Sequence, residues 1–258
     1  MTNMVDHHAT HSDAVPKTQT LERPARQAIT VASYNIHKCV GVDGIFDPSR
    51  TADVIEEIMP DIIALQEVDT RFGERRGLLD LERLERQSGL LPIPLSRPQP
   101  AHGWHGNIIL FRQGTIRDVH EIKLPGLEPR GALVAEFEFS ATSSLRIIAA
   151  HLGLLRRSRY QQAARITELI NAKSKMPTLL LGDLNEWRLG GRTSLHSFRP
   201  AFRTFPEAVP SYPSRLPILA LDRIIANRAG LLASVEVHDT PLSRIASDHL
   251  PLKTKVRI

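Results

Sequence analysis

Six short stretches of this 258-residue chain set carboxylate, amide or imidazole groups at the edge of an apolar run. Gly182-Asp183-Leu184-Asn185 follows Leu179-Leu180-Leu181, Gln66-Glu67 follows Asp61–Leu65, Asn35 lies near the end of Ile29–Ile36, and His151 follows Leu145–Ala150. Asp222 opens the run Leu221–Ala226, and Asp248-His249 precedes a last alternating segment in which Leu250, Leu252 and Val256 share a face. Each alone has an ordinary explanation. Asp and Asn favour turns because their side chains bond nearby backbone, and a strand-end histidine or carboxylate needs only a partner. Six together are hard to assign to packing. Oxygen donors gathered at one rim suit a hard divalent cation such as Mg²⁺, which takes few protein oxygens, keeps waters and bridges to phosphate. Imidazoles beside them exchange a proton or donate to an anion near neutral pH.

The elements that must position these groups follow from the apolar pattern. Short unbroken apolar runs predict buried strands, and strand ends are where α/β proteins place their chemistry. Ile29–Ile36 is a strand, Asp47-Pro48 caps and opens a helix with the stripe Ile55, Ile58 and Met59, and Asp61–Leu65 is a second strand. That order is a βαβ-like unit. Leu78–Gln87 reads as a charged surface helix and Leu91–Pro100 as a loop. Asn107–Arg112 and Ala132–Phe139 are strands, the second alternating so as to bury one side only. Ser158-x-x-Gln161 reads as a capping box for a helix through Lys173 with the stripe Ala163, Ile166, Leu169 and Ile170. Gly190–Pro217 is a long loop with one short helix, and Ala233–His238 is a strand. Two strand-rich halves predict two sheets packed face to face with helices outside.

The length suits one large α/β domain with a substantial core. Met1–Gln27, with His7, His8 and His11 and no apolar periodicity, predicts a disordered tail, leaving 28–258 as the folded domain. No stretch approaches the length of a membrane span, and the tail lacks the apolar core of a secretory signal. Cys39 is the only cysteine, so no intramolecular disulfide forms and a reducing cytoplasm is the expected compartment. A formal net charge of +5 favours anionic partners, nucleic acid or an acidic phospholipid surface.

In chain order, YNIH with Asn35, LQE with Glu67, HL with His151, GDLN with Asp183 and Asn185, LDRI with Asp222, and SDH with Asp248 and His249 resemble the endonuclease/exonuclease/phosphatase family. That family includes deoxyribonuclease I, abasic-site endonucleases of the exonuclease III type, neutral sphingomyelinases and inositol polyphosphate 5-phosphatases. The resemblance runs from Ile29 to the C-terminus. It implies a four-layer α/β/β/α sandwich of the deoxyribonuclease I kind, two mixed sheets with the site at the mouth between them. It implies Glu67 as principal Mg²⁺ ligand with Asn35 and Asp248 beside it, Mn²⁺ serving as a substitute. Asp183 resembles the residue that orients or deprotonates the attacking water, and Asn185 one that holds the phosphate. His249 resembles the histidine on the scissile phosphate, oriented by Asp222. His151 matches the second histidine of the deoxyribonuclease and sphingomyelinase branches; the exonuclease III branch carries a tyrosine near there, and an Asp where this chain has His37. Asn107, in a Gly-Asn-apolar run similar to the family's, lines the phosphate site or caps a strand. Arg130 neutralises phosphate or pairs with an internal carboxylate, and Arg156, Arg157 and Arg159 track a polyanion or form a solvated helix entry.

The resulting expectation is a Mg²⁺-dependent phosphodiester hydrolase, nuclease-like, with nucleic acid the favoured substrate. The alternative keeps the chemistry and takes a phospholipid, with Trp104, Leu152, Leu154 and Leu155 touching a membrane or else lying in the core. A non-catalytic binding protein is the second alternative, because a fold alone never establishes activity.

Overall fold

Apolar side chains alternate along the central strands so that each of these feeds two different cores. The structure, a computed structural model, describes residues 28–70, 73–96, 101–188, 193–203 and 205–258. The expected disordered tail lies outside the described residues. One sheet runs in the order β10 (Glu236–Val237), β11 (Leu252–Arg257), β1 (Ala28–Asn35), β2 (Ile62–Gln66), β4 (Ile108–Phe111), β3 (Leu91–Pro92). The other runs β5 (Thr115–Lys123), β6 (Gly131–Ser140), β7 (Ser143–Ala150), β8 (Thr178–Asp183), β9 (Asp222–Ala226). Both are mixed: β1 with β2 and β7 with β8 are parallel, and the other pairs are antiparallel.

Leu179 and Leu181 of β8 point toward the first sheet and pack with Val31, Ala64 and Ile109, whereas Leu180 between them packs against α3 (Arg156–Asn171). The same alternation sends Tyr34, Ile63 and Leu65 outward onto α1 (Pro48–Ile58) and α2 (Leu81–Ser88). Helix, sheet, sheet, helix is the four-layer sandwich expected. At roughly 25 cal/mol per Å² of apolar area removed from water, the middle layer is the main source of cohesion between the halves.

Local sequence explains most boundaries. Asp47 Oδ1 accepts from the Ser49 and Arg50 amides and caps α1. The helix ends at Met59, which takes a left-handed φ of 51° and is exposed rather than part of the buried stripe. The Ser158 capping box is not formed. Helix α3 starts two residues earlier at Arg156, and Ser158 is buried inside it against Gly126. Gln162, one position past the expected Gln161, ties the helix down by accepting from the Gly153 amide and donating to the Pro125 carbonyl. Strand β6 is buried on both faces over most of its length, not one, because the other sheet covers one side and α3 with its neighbours the other. Strand β5 carries no clean alternation because a register shift between Ile116 and Asp118 changes the parity of its apolar residues. Of Ala233–His238 only Glu236–Val237 pairs as a strand, and the long loop's short helix is a 3-10 turn at Ser194–Phe198. Among the described residues, no helix is long and apolar enough to cross a membrane.

Candidate active site

Strand register brings the polar groups to one end of the sandwich. Parallel pairing sets Asn35 beside Gln66, so Glu67 emerges just past the end of β2. Strand β7, parallel to β8, stops at Ala150 and delivers His151 beside the Asp183 end. Antiparallel pairing sets Asp183 opposite Asp222. Ser247 Oγ donates to the Asn35 carbonyl at 2.7 Å, which draws Asp248 and His249 to the same place. Gly182 is required at the last turn of β8: its φ is +141°, and a Cβ there would lie 1.8 Å from the Ala150 carbonyl oxygen. Glu67 (φ 59°), Asn185 (φ 50°) and the consecutive His37, Lys38 and Cys39 take left-handed backbone, a conformation that costs non-glycine residues energy and turns these side chains sharply off their strands.

Asp183 is the hub. Its Oδ2 accepts from Asn35 Nδ2 at 3.0 Å and lies 3.3 Å from His151 Nε2 and 3.8 Å from His249 Nε2. Its Oδ1 accepts from the Asn185 amide at 2.9 Å. Burial holds the Asp183 carboxyl above its usual range, with the nearby Asp222 charge adding to the rise and His249 opposing it. Behind the hub, His249 Nδ1 lies 2.8 Å from Asp222 Oδ2, which also accepts from Ser211 Oγ. Burial lowers the His249 imidazole, but Asp222, Asp183 and Asp248 more than reverse this and push it up to about 10. The Tyr212 ring packs on His249 with centroids 4.8 Å apart and fixes the imidazole plane. A carboxylate–imidazole–carboxylate chain of this kind favours a protonated histidine with its Nε2 on the Asp183 side.

A small cleft adjoins the hub, lined by Glu67, Lys38, Arg75 with its partner Asp69, Arg130 and His151, and by His105. The structure therefore places Glu67 and His151 on one cavity, and Asn35, His151, Asp183, Asp222 and His249 in one contact chain. Asp248 stands next to His249, with its Oδ1 3.8 Å from His37 Nδ1. The oxygen set fits a hard cation. Glu67 lines the cleft, and its buried Oε2 has no hydrogen-bond partner, only the Lys38 ammonium at 3.2 Å, which leaves a carboxylate oxygen for a cation to take up. Among the described residues no cluster of three or more His, Cys, Asp or Glu is assembled as a cage.

Other expected residues sit differently. Asn185 donates its side-chain amide to the Leu152 carbonyl, clamping the His151 loop onto β8. Asn107 donates to the carbonyls of Trp104, His105 and Gly131, and Gly106 rather than Asn107 lies on the cavity wall. Arg130 is on the wall and forked onto Glu128. Leu152 is buried and Trp104 donates Nε1 to the Ile122 carbonyl, so both belong to the interior, while Leu154 and Leu155 are exposed. Arg159 is not a surface cation. It is fully buried, 3.5 Å from Glu186, and Nη1 donates to the Gly153 and Leu154 carbonyls.

Sequence reasoning missed Lys38, Arg75 and His105 as wall residues and the Arg159–Glu186 pair as the brace behind the site. Lys38 and Glu186 each adjoin a quoted motif, YNIH and GDLN, and adjacency was the available signal; Arg75 sits in the charged run Glu74-Arg75-Arg76, which reads as solvated surface.

A family model described as the Endonuclease/Exonuclease/phosphatase family matches residues 32–249. No curated protein matches the chain. Among solved structures, an endonuclease/exonuclease/phosphatase from Beutenbergia cavernae is similar at 21% identity and a TM-score of 0.68, covering 90% of this chain and 72% of that one. D. rerio TDP2 complexed with a single-strand DNA product is similar at 16% identity and 0.64, covering 90% and 99%. A mannosyl-6-phosphatase of Bacteroides thetaiotaomicron is similar at 17% and 0.62, covering 88% and 98%.

Proposed function

This chain belongs to the endonuclease/exonuclease/phosphatase family, and from that premise we propose that it is a Mg²⁺-dependent phosphodiester hydrolase. The observation that carries the reading is Asp183 Oδ2, set within 3.8 Å of two imidazole nitrogens beside a cavity that presents Glu67.

Glu67, Asn35 and Asp248 would hold the cation, with Mn²⁺ a workable substitute. When bound it would supply a Lewis acid for a phosphoryl or leaving-group oxygen. The chain's own residues do the rest. Asp183 Oδ2 orients a water and takes its proton, and burial suits it for that by raising its proton affinity. His249, kept protonated by Asp222, presents Nε2–H to the negative charge that spreads over the phosphoryl oxygens as the reaction proceeds. His151 Nε2, beside the same carboxylate, supplies a second donor. Lys38, Arg75 and Arg130 on the wall, paired with Glu67, Asp69 and Glu128, offer N–H donors to the substrate's phosphoryl oxygens. Asn185 and Asn35 act as positioning residues, fixing Asp183 and the His151 loop.

The TDP2 neighbour's DNA product and the positive charge of this chain support a nucleic-acid substrate; exposed Leu154 and Leu155 beside the site favour the phospholipid reading. Hydrolysis of bis-p-nitrophenyl phosphate with Mg²⁺, compared with EDTA and with Asp183→Ala, tests the chemistry without choosing a substrate. Turnover unaffected by EDTA, or by the substitution, would overturn it.

A further inference from the structure

Thirteen large apolar side chains are exposed among the described residues, and nine of them, eight on loops and Ile245 on the short helix Ser243–Ala246, belong to connections at the end of the sandwich that carries Asp183 and Glu67. A random scatter of surface hydrophobes needs no explanation, but a concentration at one end does. One block comprises Ile45, Phe46, Leu216, Ile218 and Ile245, with Leu216 70% and Ile218 66% exposed. Their loops are tied to one another: the Val42 amide donates to the Ile245 carbonyl, Arg215 to the Val42 carbonyl and Arg244 to the Arg215 carbonyl. That block adjoins the site through Tyr212 on His249. A second block comprises Leu127, Leu154, Leu155 and Trp187, with Leu127 87% exposed. They are joined by the Leu154 amide donating to Glu128, and by Arg159 lying under the Trp187 ring while it donates to the Leu154 carbonyl. This block adjoins the site through the His151 loop.

Surplus charge is positive on the second block, whereas on the first Arg215 is offset by Asp47, which follows Phe46 and shares Arg50 with Asp43. Leu155 is followed by the exposed Arg156 and Arg157, Trp187 by Arg188, and Leu216 is preceded by the exposed Arg215. Three carboxylates nearby are already engaged: Asp43 by Arg50, Glu128 by Arg130 and Asp239 by Arg244. Apolar tips with arginines next to them in the chain match the chemistry of an anionic bilayer, where acyl chains take Leu, Ile, Phe and Trp and the headgroup layer takes Arg. A duplex or single strand of nucleic acid would leave the aliphatic tips in water, since it is gripped by cations and aromatic faces rather than by Leu and Ile.

We propose that the mouth of the site docks on an anionic lipid surface, with the two loop blocks as its feet and the cavity between them facing the headgroups. Docking itself is independent of hydrolysis; its consequence for substrate, a phosphodiester presented by that surface, rests on the proposed function above.

The test is co-sedimentation of the full chain, in EDTA so that nothing is hydrolysed, with vesicles of equal parts phosphatidylcholine and phosphatidylglycerol and with vesicles of phosphatidylcholine alone. The chain is expected to bind the first, weakly or not at all the second, and less as salt rises. The double variant Leu155→Asp, Leu216→Asp and the single variant Arg157→Glu should each lower the bound fraction about tenfold or more, with circular dichroism and hydrolysis of soluble bis-p-nitrophenyl phosphate unchanged. No binding to the phosphatidylglycerol vesicles, equal binding to both vesicle types, or variants that bind as the parent does would overturn the proposal. So would a parent that is dimeric in solution and becomes monomeric in the double variant, since a second copy would then cover the face. Vesicle binding without soluble-diester turnover would remove the hydrolase reading and leave the docking surface standing.

Discussion

Asp183 and Asp222 face each other across the β8–β9 ladder, and His249 joins them, 2.8 Å from Asp222 through Nδ1 and 3.8 Å from Asp183 through Nε2. Two carboxylates on one imidazole make its charge state part of the fold as well as of the chemistry.

Stability of the metal-free protein should therefore depend on pH through His249. Its folded value, about 10, lies above the unfolded one near 6.5, so the stabilisation is fully present below about pH 6.5 and is lost as pH rises through 10. Urea unfolding in EDTA should show the parent losing on the order of 2 kcal/mol more than Asp222→Asn across that interval. Parallel pH curves for the two proteins would contradict the pairing.

Removal of either end of the relay should act chiefly on turnover, the fold persisting at some cost in stability. Asp183→Ala and His249→Ala are each expected to lower kcat by about 10²–10⁴-fold with far-UV spectra unchanged. Their effects should be strongly non-additive in the double variant, as for groups that act as a unit. Additive losses would mean the two residues serve separate steps.

EDTA should abolish activity and Mg²⁺ restore it. A second reading avoids turnover altogether: Mg²⁺ should raise the Tm of the parent by binding the folded state, and Glu67→Gln should shrink that shift. A full Mg²⁺ shift in Glu67→Gln would place the ion elsewhere.

The brace behind the site is expected to be costly to break. Arg159 and Glu186 are both fully buried, and Glu186 also accepts from the Ser194 amide and hydroxyl. Arg159→Met strands a buried carboxylate and should destabilise by about 3–5 kcal/mol, with the double Arg159→Met, Glu186→Met variant recovering part of that. Urea unfolding of the four proteins of this cycle measures it.

At Gly182 the demand is steric. Ala would put a methyl 1.8 Å from the Ala150 carbonyl oxygen in a backbone conformation few L-residues adopt, so Gly182→Ala should destabilise by on the order of 3 kcal/mol and displace His151, visible as a rise in KM together with a fall in kcat.

Much of this was legible in the chain because apolar runs and their polar ends are local signals. Leu179–Leu181 gave away β8 and Asp183 together, and Asp47-Pro48 gave away the start of α1. What escaped was set by distant partners. Strand β5 is hidden by a register shift that only its pairing with β6 reveals. Ser158 looks like a cap because helix starts are read from three residues, whereas its surroundings are fixed by Gly126, more than thirty positions earlier. Arg159 looks like solvent-facing charge because its counter-ion, Glu186, arrives from the far side of β8. Lys38 and Arg75 become wall residues only once Glu67 and Gly106 close the cavity around them.

The donors divide by parentage: Asn35 and Glu67 hang from one sheet, Asp183 and Asp222 from the other. The spacing between the ion-holding group and the water-activating group is thus a clearance gauged by Val31, Ala64, Leu179 and Leu181, none of which touches a reactant. Trimming or thickening that seam by a methylene would slide one half of the chemistry past the other. Rate-altering substitutions are accordingly to be sought in the middle of the molecule, at a depth no ligand ever reaches.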